Sequence, residues 1–180
     1  MRPTITAEDI RTFYDELDKQ CGIDTSGIEL HINSRLARRH GQCHYKADMD
    51  RKTLVPWKID IAGFLVNNPE GFWNTARHEY AHALVTLRDG KQHGHDKVWQ
   101  AAAAEVGAIP RAYNTIESAG KACEAFRKQN AKYHLVCEKC GKEWFYMRET
   151  AVIRNVFRHV RNQGTCPCCR GHKFKVKELR

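Results

Sequence analysis

The sequence has 180 residues, of which 42% are hydrophobic and 28% charged, and its formal net charge is +9 at pH 7. This length suffices for one modest hydrophobic core and a small additional module, and no stretch is long and apolar enough to span a membrane. Because the opening residues MRPTIT contain no apolar signal segment, we expect a soluble, intracellular protein.

The first part of the chain alternates between helical and strand patterns. Apolar residues recur at helical spacing from Thr6 to Lys19, which predicts a first helix. Alternating patterns then predict strands over residues 28–32, 42–47 and 54–61. A polar turn separates the last two, so they are predicted to form a hairpin whose second strand leads toward the next helix.

The next predicted helix, residues 69–88, carries the motif His78-Glu79-Tyr80-Ala81-His82. Residues four apart share one helix face, so the two imidazoles can bind the same zinc ion. Glu79 lies beside them and can take a proton from a water molecule on the metal. The motif is therefore the minimal set of groups for zinc-dependent hydrolysis, with His78 and His82 as ligands and Glu79 as the base.

A catalytic zinc ion needs a third protein ligand, and the sequence offers two candidates. His93 and His95 both follow the predicted helix, beyond Gly90. We favour His95, because it opens a further predicted helix over residues 96–106 and a ligand at a helix start is held more rigidly than one in a loop. The alternative is that all four histidines are ordinary surface or core residues.

Residues 56–113 resemble the SprT-like metalloproteases, which include bacterial SprT proteins and the Spartan protease of DNA–protein crosslink repair. The resemblance rests on four segments: 58–61, His78–Leu84, Gly94–Trp99 and Val106–Arg111. The family pattern of His-Gly-x-x-aromatic aligns its histidine with His95, because Trp99 supplies the aromatic residue, although Asp96 replaces the usual glycine. The resemblance implies protein substrates on DNA and cleavage that is restrained until DNA is bound.

The C-terminal part combines short strand patterns with paired cysteines. A connecting helix or linker is predicted over 121–132, followed by strands at 133–136, 143–146 and 173–176. Two Cys-x-x-Cys pairs, separated by 25 residues, indicate a structural zinc site with four thiolates: Cys137, Cys140, Cys166 and Cys169. Cys168 is an alternative ligand in the second pair. Disulfide bonds are the competing interpretation, which an intracellular location disfavours.

Positive charge is concentrated in the same C-terminal part. Residues 121–180 hold 15 Lys and Arg against 5 acidic residues, whereas residues 1–120 hold 15 against 16. Basic residues interleaved with aromatic ones are typical of surfaces that bind single-stranded nucleic acid. The candidate DNA-binding residues are Arg154, Arg158, Arg161, Lys173 and Lys175. The alternative is that the aromatic rings form the small core of the zinc module.

Together these patterns predict an α+β protein. Residues 1–120 are predicted to form a zincin-like metalloprotease core, with helices packed on a small sheet, and residues 121–180 a linker helix and a basic four-cysteine zinc ribbon. The predicted function is zinc-dependent endopeptidase activity on DNA-associated proteins, with one catalytic and one structural zinc ion and Tyr113 as a candidate oxyanion donor. We expect a monomer located in the cytoplasm on DNA, or in the nucleus of a eukaryote. The competing function is a non-catalytic zinc protein that binds nucleic acid and in which the histidines are structural.

Overall fold

A computed structural model describes residues 5–49, 52–111 and 116–179. The chain divides into two compact units, Met1–Cys123 and Glu124–Arg180. Each contains helical segments and a three-stranded sheet, which confirms the predicted mixed α+β class. The predicted domain boundary after residue 120 lies inside the helix Glu117–Gln129 and stays a prediction. Within the described ranges, no helix has the length and apolar character needed to cross a membrane.

The first unit is built around a mixed sheet with strand order β1-β3-β2. Strand β1 runs parallel to β3, and β2 pairs with β3 as the antiparallel hairpin predicted from the sequence. The elements in chain order are α1 (Ala7–Cys21), β1 (Glu29–Asn33), β2 (Gly41–Ala47), β3 (Leu54–Ala62), a short 3-10 helix (Gly63–Leu65), α2 (Pro69–Asp89), α3 (Lys97–Glu105) and α4 (Glu117–Gln129), the last of which extends into the second unit.

Helix α2 forms the centre of this unit and is held on both sides. One side packs on β2 and β3, where Ile59 and Ile61 are fully buried. On the other side, the Tyr14 hydroxyl of α1 donates a hydrogen bond to the Ala76 carbonyl at 2.8 Å, and the Tyr80 hydroxyl donates one to Asp18 at 2.8 Å. These two hydrogen bonds connect α1 with α2. They fix the rotation of α2 about its axis, and with it the direction in which its histidines point.

Local sequence signals define the ends of α2 and the start of α3. The Asn68 side chain accepts a hydrogen bond from the Gly71 amide, and Pro69 occupies the first turn, both of which favour helix initiation. Gly90 ends the helix with φ 72°, a left-handed conformation that suits glycine. Helix α3 begins at Lys97 with Asp96 as its cap, so His95 lies in the loop immediately before the helix.

The second unit is an antiparallel sheet, β5-β4-β6, with a short helix beside it. Its elements are β4 (Tyr133–Cys137), β5 (Glu143–Tyr146), α5 (Ala151–Phe157) and β6 (Phe174–Glu178). Helix α5 was not predicted, although Thr150 caps it by accepting a hydrogen bond from the Ile153 amide. The predicted connecting helix over 121–132 is present, but it begins earlier, at Glu117, and ends at Gln129.

Aromatic rings supply much of the small core of this second unit. Leu135, Cys137, Ile153, Cys166 and Phe174 are buried, and Tyr133, Trp144 and Tyr146 pack against them. Four of the seven Phe, Trp and Tyr side chains in residues 121–180 therefore belong to the core, as the competing interpretation of the sequence expected. Phe126, Phe145 and Phe157 are not part of this cluster.

Candidate metal centres

Three histidines of the first unit converge on one point. His78 and His82 stand one turn apart on α2, with ring centroids 5.1 Å apart, and the His95 ring lies 5.0 Å from each. One nitrogen from each ring lies within 4.8 Å of the others. His95 is exposed, so the cluster opens to solvent on one side. This open side suits a catalytic metal site, which must admit water and substrate.

Trp99 of α3 packs against all three imidazoles. Its ring centroid lies 4.6 Å from that of His78, 5.1 Å from His82 and 4.5 Å from His95, and its side chain is fully buried. Burial, assisted by the neighbouring imidazoles of the cluster, lowers the pKa of His78 to about 3 and that of His82 to about 4. Burial also lowers the pKa of His95. The rings are therefore neutral at pH 7, which is the form that binds metal ions.

The geometry and chemistry of this donor set fit a zinc ion. Zinc bonds to histidine nitrogen measure about 2.0–2.1 Å, so two nitrogens of a tetrahedral site stand about 3.3 Å apart. The Nε2 atoms of His78 and His95 are 3.1 Å apart. Two neutral imidazole nitrogens at this separation are arranged as metal ligands require.

His93, the other candidate for the third ligand, has different partners. Its Nε2 lies 2.7 Å from an Asp89 carboxylate oxygen and its Nδ1 lies 2.9 Å from one of Asp96. Hydrogen bonds to both carboxylates raise the pKa of His93. Because both of its ring nitrogens are engaged in this way, the structure favours His95 as the third ligand.

Glu79 is buried between α2 and strand β2. Its side chain packs on Gly41 so closely that a Cβ atom at position 41 would lie 2.7 Å from the Glu79 Oε1 and Cγ atoms. Burial raises the pKa of Glu79 to about 8, whereas a hydrogen bond from the Cys43 backbone and the charge of Arg39 act in the opposite direction. Glu79 is not part of the three-histidine cluster.

Four cysteines of the second unit form the other cluster. Their Sγ atoms lie within 4.8 Å of one another, with 3.5 Å between Cys137 and Cys169 and 3.7 Å between Cys140 and Cys166. Zinc–sulfur bonds of about 2.3 Å place two tetrahedral ligands about 3.8 Å apart. The observed separations are far longer than a disulfide bond of about 2.05 Å, so the donor set fits zinc and not a disulfide pair. Cys168 is exposed and lies outside the cluster.

The sequence profile of the SprT-like family matches residues 9–119, which is more than half of the chain. The chain belongs to the SprT-like family. No curated protein and no solved structure shows significant similarity to it. Family membership suggests a metallopeptidase-like role, and the two side-chain clusters are consistent with zinc.

The residue at which this chain departs from the SprT-like pattern has a defined structural role. Asp96 stands where the family pattern has glycine. Its Oδ1 accepts a hydrogen bond from the Trp99 amide at 3.0 Å, so it caps the helix that carries the ring beneath the histidines. The substitution therefore does not remove the geometry of the third ligand, and it adds a helix cap.

Further residues near the SprT-like site were missed by the sequence analysis. Gly41 packs against Glu79. The charge of Arg39 lowers the pKa of Glu79, and that of His40 lowers the pKa of His78. No short-range pattern in the sequence marks these residues, because their proximity depends on how β2 lies against α2. Tyr113, the predicted oxyanion donor, lies outside the described residues.

The predicted DNA-binding residues lie on different parts of the second unit. Lys175 is on β6, and Lys173 is exposed just before that strand. Arg154 is on α5, Arg158 ends this helix, and Arg161 follows it. Helix α5 packs through Ile153 onto the core of the unit. The arginines therefore belong to the part of the unit formed by α5, which we call the helical side. Arg154 is also paired with Glu149 at 2.7 Å, which offsets its charge.

Proposed function

We propose that the chain is a zinc-dependent endopeptidase that cleaves proteins associated with DNA. The observation that carries the proposal is the convergence of three neutral imidazoles beside a buried glutamate that is not a ligand. A purely structural zinc site is closed by four protein ligands, and it needs no carboxylate next to the metal. An open three-histidine site with an adjacent base is instead typical of metal-assisted hydrolysis.

In the proposed mechanism, His78, His82 and His95 would hold a zinc ion, which would supply Lewis-acid activation of a peptide carbonyl and of water. Glu79 accepts the proton of the attacking water and passes it to the leaving amine. Burial raises the pKa of Glu79 to about 8 in the metal-free chain, which favours the acid form that donates a proton to the leaving amine. The positive charge of a bound zinc ion would lower this pKa and favour the carboxylate that accepts the proton of water. The absence of a side chain at Gly41 allows β2 to lie close to this carboxylate.

A charged and aromatic surface of the second unit supports the nucleic-acid part of the proposal. Residues paired across antiparallel strands lie on the same face of a sheet. The pairings of His134 with Phe145 and Lys177, and of Val136 with Lys175 and Glu143, therefore define one face, which is opposite to the core. Glu143 is the acidic residue of this set, and its carboxylate lies 3.2 Å from the His134 Nε2 atom. We call it the outer face of the ribbon sheet.

Rings and cations lie close together on this outer face. The His134 and Phe145 rings are parallel within 2°, with centroids 4.7 Å apart, and the Lys128 ammonium group lies 5.4 Å from the Phe145 ring centroid. Ammonium groups neutralise phosphates, and aromatic rings stack with bases regardless of sequence. The outer face is therefore the proposed contact for single-stranded DNA, with the α5 arginines as secondary contacts.

We expect replacing Lys175 and Lys177 together by alanine to weaken single-stranded DNA binding. Each phosphate contact contributes about 0.7 to the slope of log affinity against log salt concentration, so the slope is expected to fall by about 1.4. Fluorescence anisotropy at several salt concentrations measures both quantities. Replacing Arg154 and Arg158 by alanine is the comparison variant, for which we expect a smaller loss of affinity because these residues are secondary contacts. A larger loss of affinity in the arginine variant would place the main DNA contact on α5. Wild-type binding that does not depend on salt concentration would contradict the nucleic-acid proposal.

A further inference from the structure

The loop that carries His95 is held by the side chains of His93, Asp89 and Asp96, which we call the bracket. His93 lies between two carboxylates, with its Nε2 atom 2.7 Å from Asp89 and its Nδ1 atom 2.9 Å from Asp96. Asp89 is the last residue of α2, and Asp96 caps α3. The His93 ring therefore links the end of one helix to the start of the next, and only 13% of its side chain is exposed.

Both carboxylates of the bracket are also tied to the backbone. Asp89 accepts a hydrogen bond from the Lys91 amide at 2.9 Å, and Asp96 accepts one from the Trp99 amide at 3.0 Å. An acidic residue at the C-terminal end of a helix is disfavoured by the helix dipole. The pairing with His93 offsets this cost for Asp89. These contacts give Asp89 and Asp96 a structural role, although neither residue belongs to the three-histidine cluster.

The backbone of the loop is held at Gly90, whose carbonyl accepts a hydrogen bond from the Leu54 amide at 2.7 Å, but it is less constrained near His95. A Cβ atom at Gly94 would meet nothing within 4 Å. A glycine with open space around it leaves the chain free to move beside His95. A ligand that is ordered before the metal arrives binds more tightly, because the ordering cost is not incurred on binding.

We propose that His93 is a positioning residue for the metal site, holding through Asp89 and Asp96 the loop conformation that presents His95 to His78 and His82. The proposal rests on the three-histidine site of the proposed function. His93 does not touch the metal or the substrate in this role. It acts through the loop, so we expect removal of the His93 side chain to lower the metal affinity.

The test is the zinc affinity of the histidine site in the full chain, measured by competition with a chromophoric chelator. We expect His93→Asn and Asp89→Asn each to weaken this affinity by about 10- to 100-fold, the range found when groups that support metal ligands are removed. The double variant should lose little more than either single variant, because the two residues act as one unit. His31→Asn is the matched control: His31 is an exposed histidine that faces one carboxylate, Glu29, at 3.8 Å.

A spectroscopic measurement separates positioning from a merely structural role. Cobalt placed in the histidine site, with zinc retained by the cysteines, reports the coordination geometry through its visible absorption. We expect an altered spectrum in His93→Asn and an unchanged one in His31→Asn. Wild-type zinc affinity and an unchanged spectrum in both bracket variants would overturn the proposal, even if their thermal stability fell. A wild-type chain with zinc only at its cysteines would overturn the three-histidine site itself.

Discussion

We expect Glu79→Gln to abolish peptide-bond cleavage by the full chain and to leave both zinc ions bound. Glutamine has nearly the same shape, so its packing against Gly41 is kept, but its amide cannot accept the proton of the attacking water. Loss of a general base reduces the rate by about 100- to 10,000-fold. The thermal midpoint should change little, since Glu79 is not part of the histidine cluster. Cleavage of an unfolded protein and zinc content per chain are the two measurements.

Glu70→Gln is the matched control for this substitution. Glu70 is an exposed residue in the first turn of the same helix, and its replacement should leave cleavage unchanged. Wild-type cleavage by Glu79→Gln would exclude Glu79 as the base. Loss of zinc from Glu79→Gln would instead make this residue part of the metal site, as in the competing view of the histidines as structural.

Cys137→Ser is expected to release one zinc ion and to unfold the second unit. Among the described residues, the hydrophobic cluster of this unit contains five buried side chains, two of which are themselves cysteines of the metal cluster. Binding of a structural zinc ion contributes about 10–16 kcal/mol in small zinc modules, far more than such a core can replace. Zinc content should fall by one ion, and amide hydrogen exchange should become fast in β4, β5 and β6.

Cys168→Ser is the control for this prediction. Cys168 is exposed and lies outside the cluster, so its replacement should leave zinc content and amide exchange unchanged. Equal damage from Cys168→Ser, together with tolerance of Cys166→Ser, would exchange the roles of these two residues. Retention of both zinc ions in Cys137→Ser would contradict the four-thiolate site.

The long elements of the first unit could be predicted because several independent signals agree in the sequence. Helix α2 has a capping residue, an apolar period and a terminal glycine, and the histidine spacing depends only on local helix geometry. Helix α5 has seven residues, so its apolar pattern repeats over about two turns and is hard to recognise. Its capping Thr150 and the apolar side chains of Val152, Ile153 and Val156 were nevertheless a usable signal.

The supporting residues around the site could not be predicted, because they depend on contacts between distant parts of the chain. Gly41 meets Glu79 only because β2 lies against α2. The two basic regions of the ribbon look continuous in the sequence, but the antiparallel pairing separates Lys175 from the arginines of α5. The choice of His95 over His93 could be argued from its place at a predicted helix start, but the contacts of both His93 ring nitrogens with Asp89 and Asp96 depend on how the loop folds.

The most direct test of zinc-dependent proteolysis is mass spectrometry of new amino termini. The full zinc-loaded chain is incubated with a protein that binds single-stranded DNA, in the presence of that DNA. The account predicts cuts at internal peptide bonds of the substrate, which a chelator stops and added zinc restores. A folded chain that holds zinc at both clusters, binds the DNA and yet produces no new termini would contradict it.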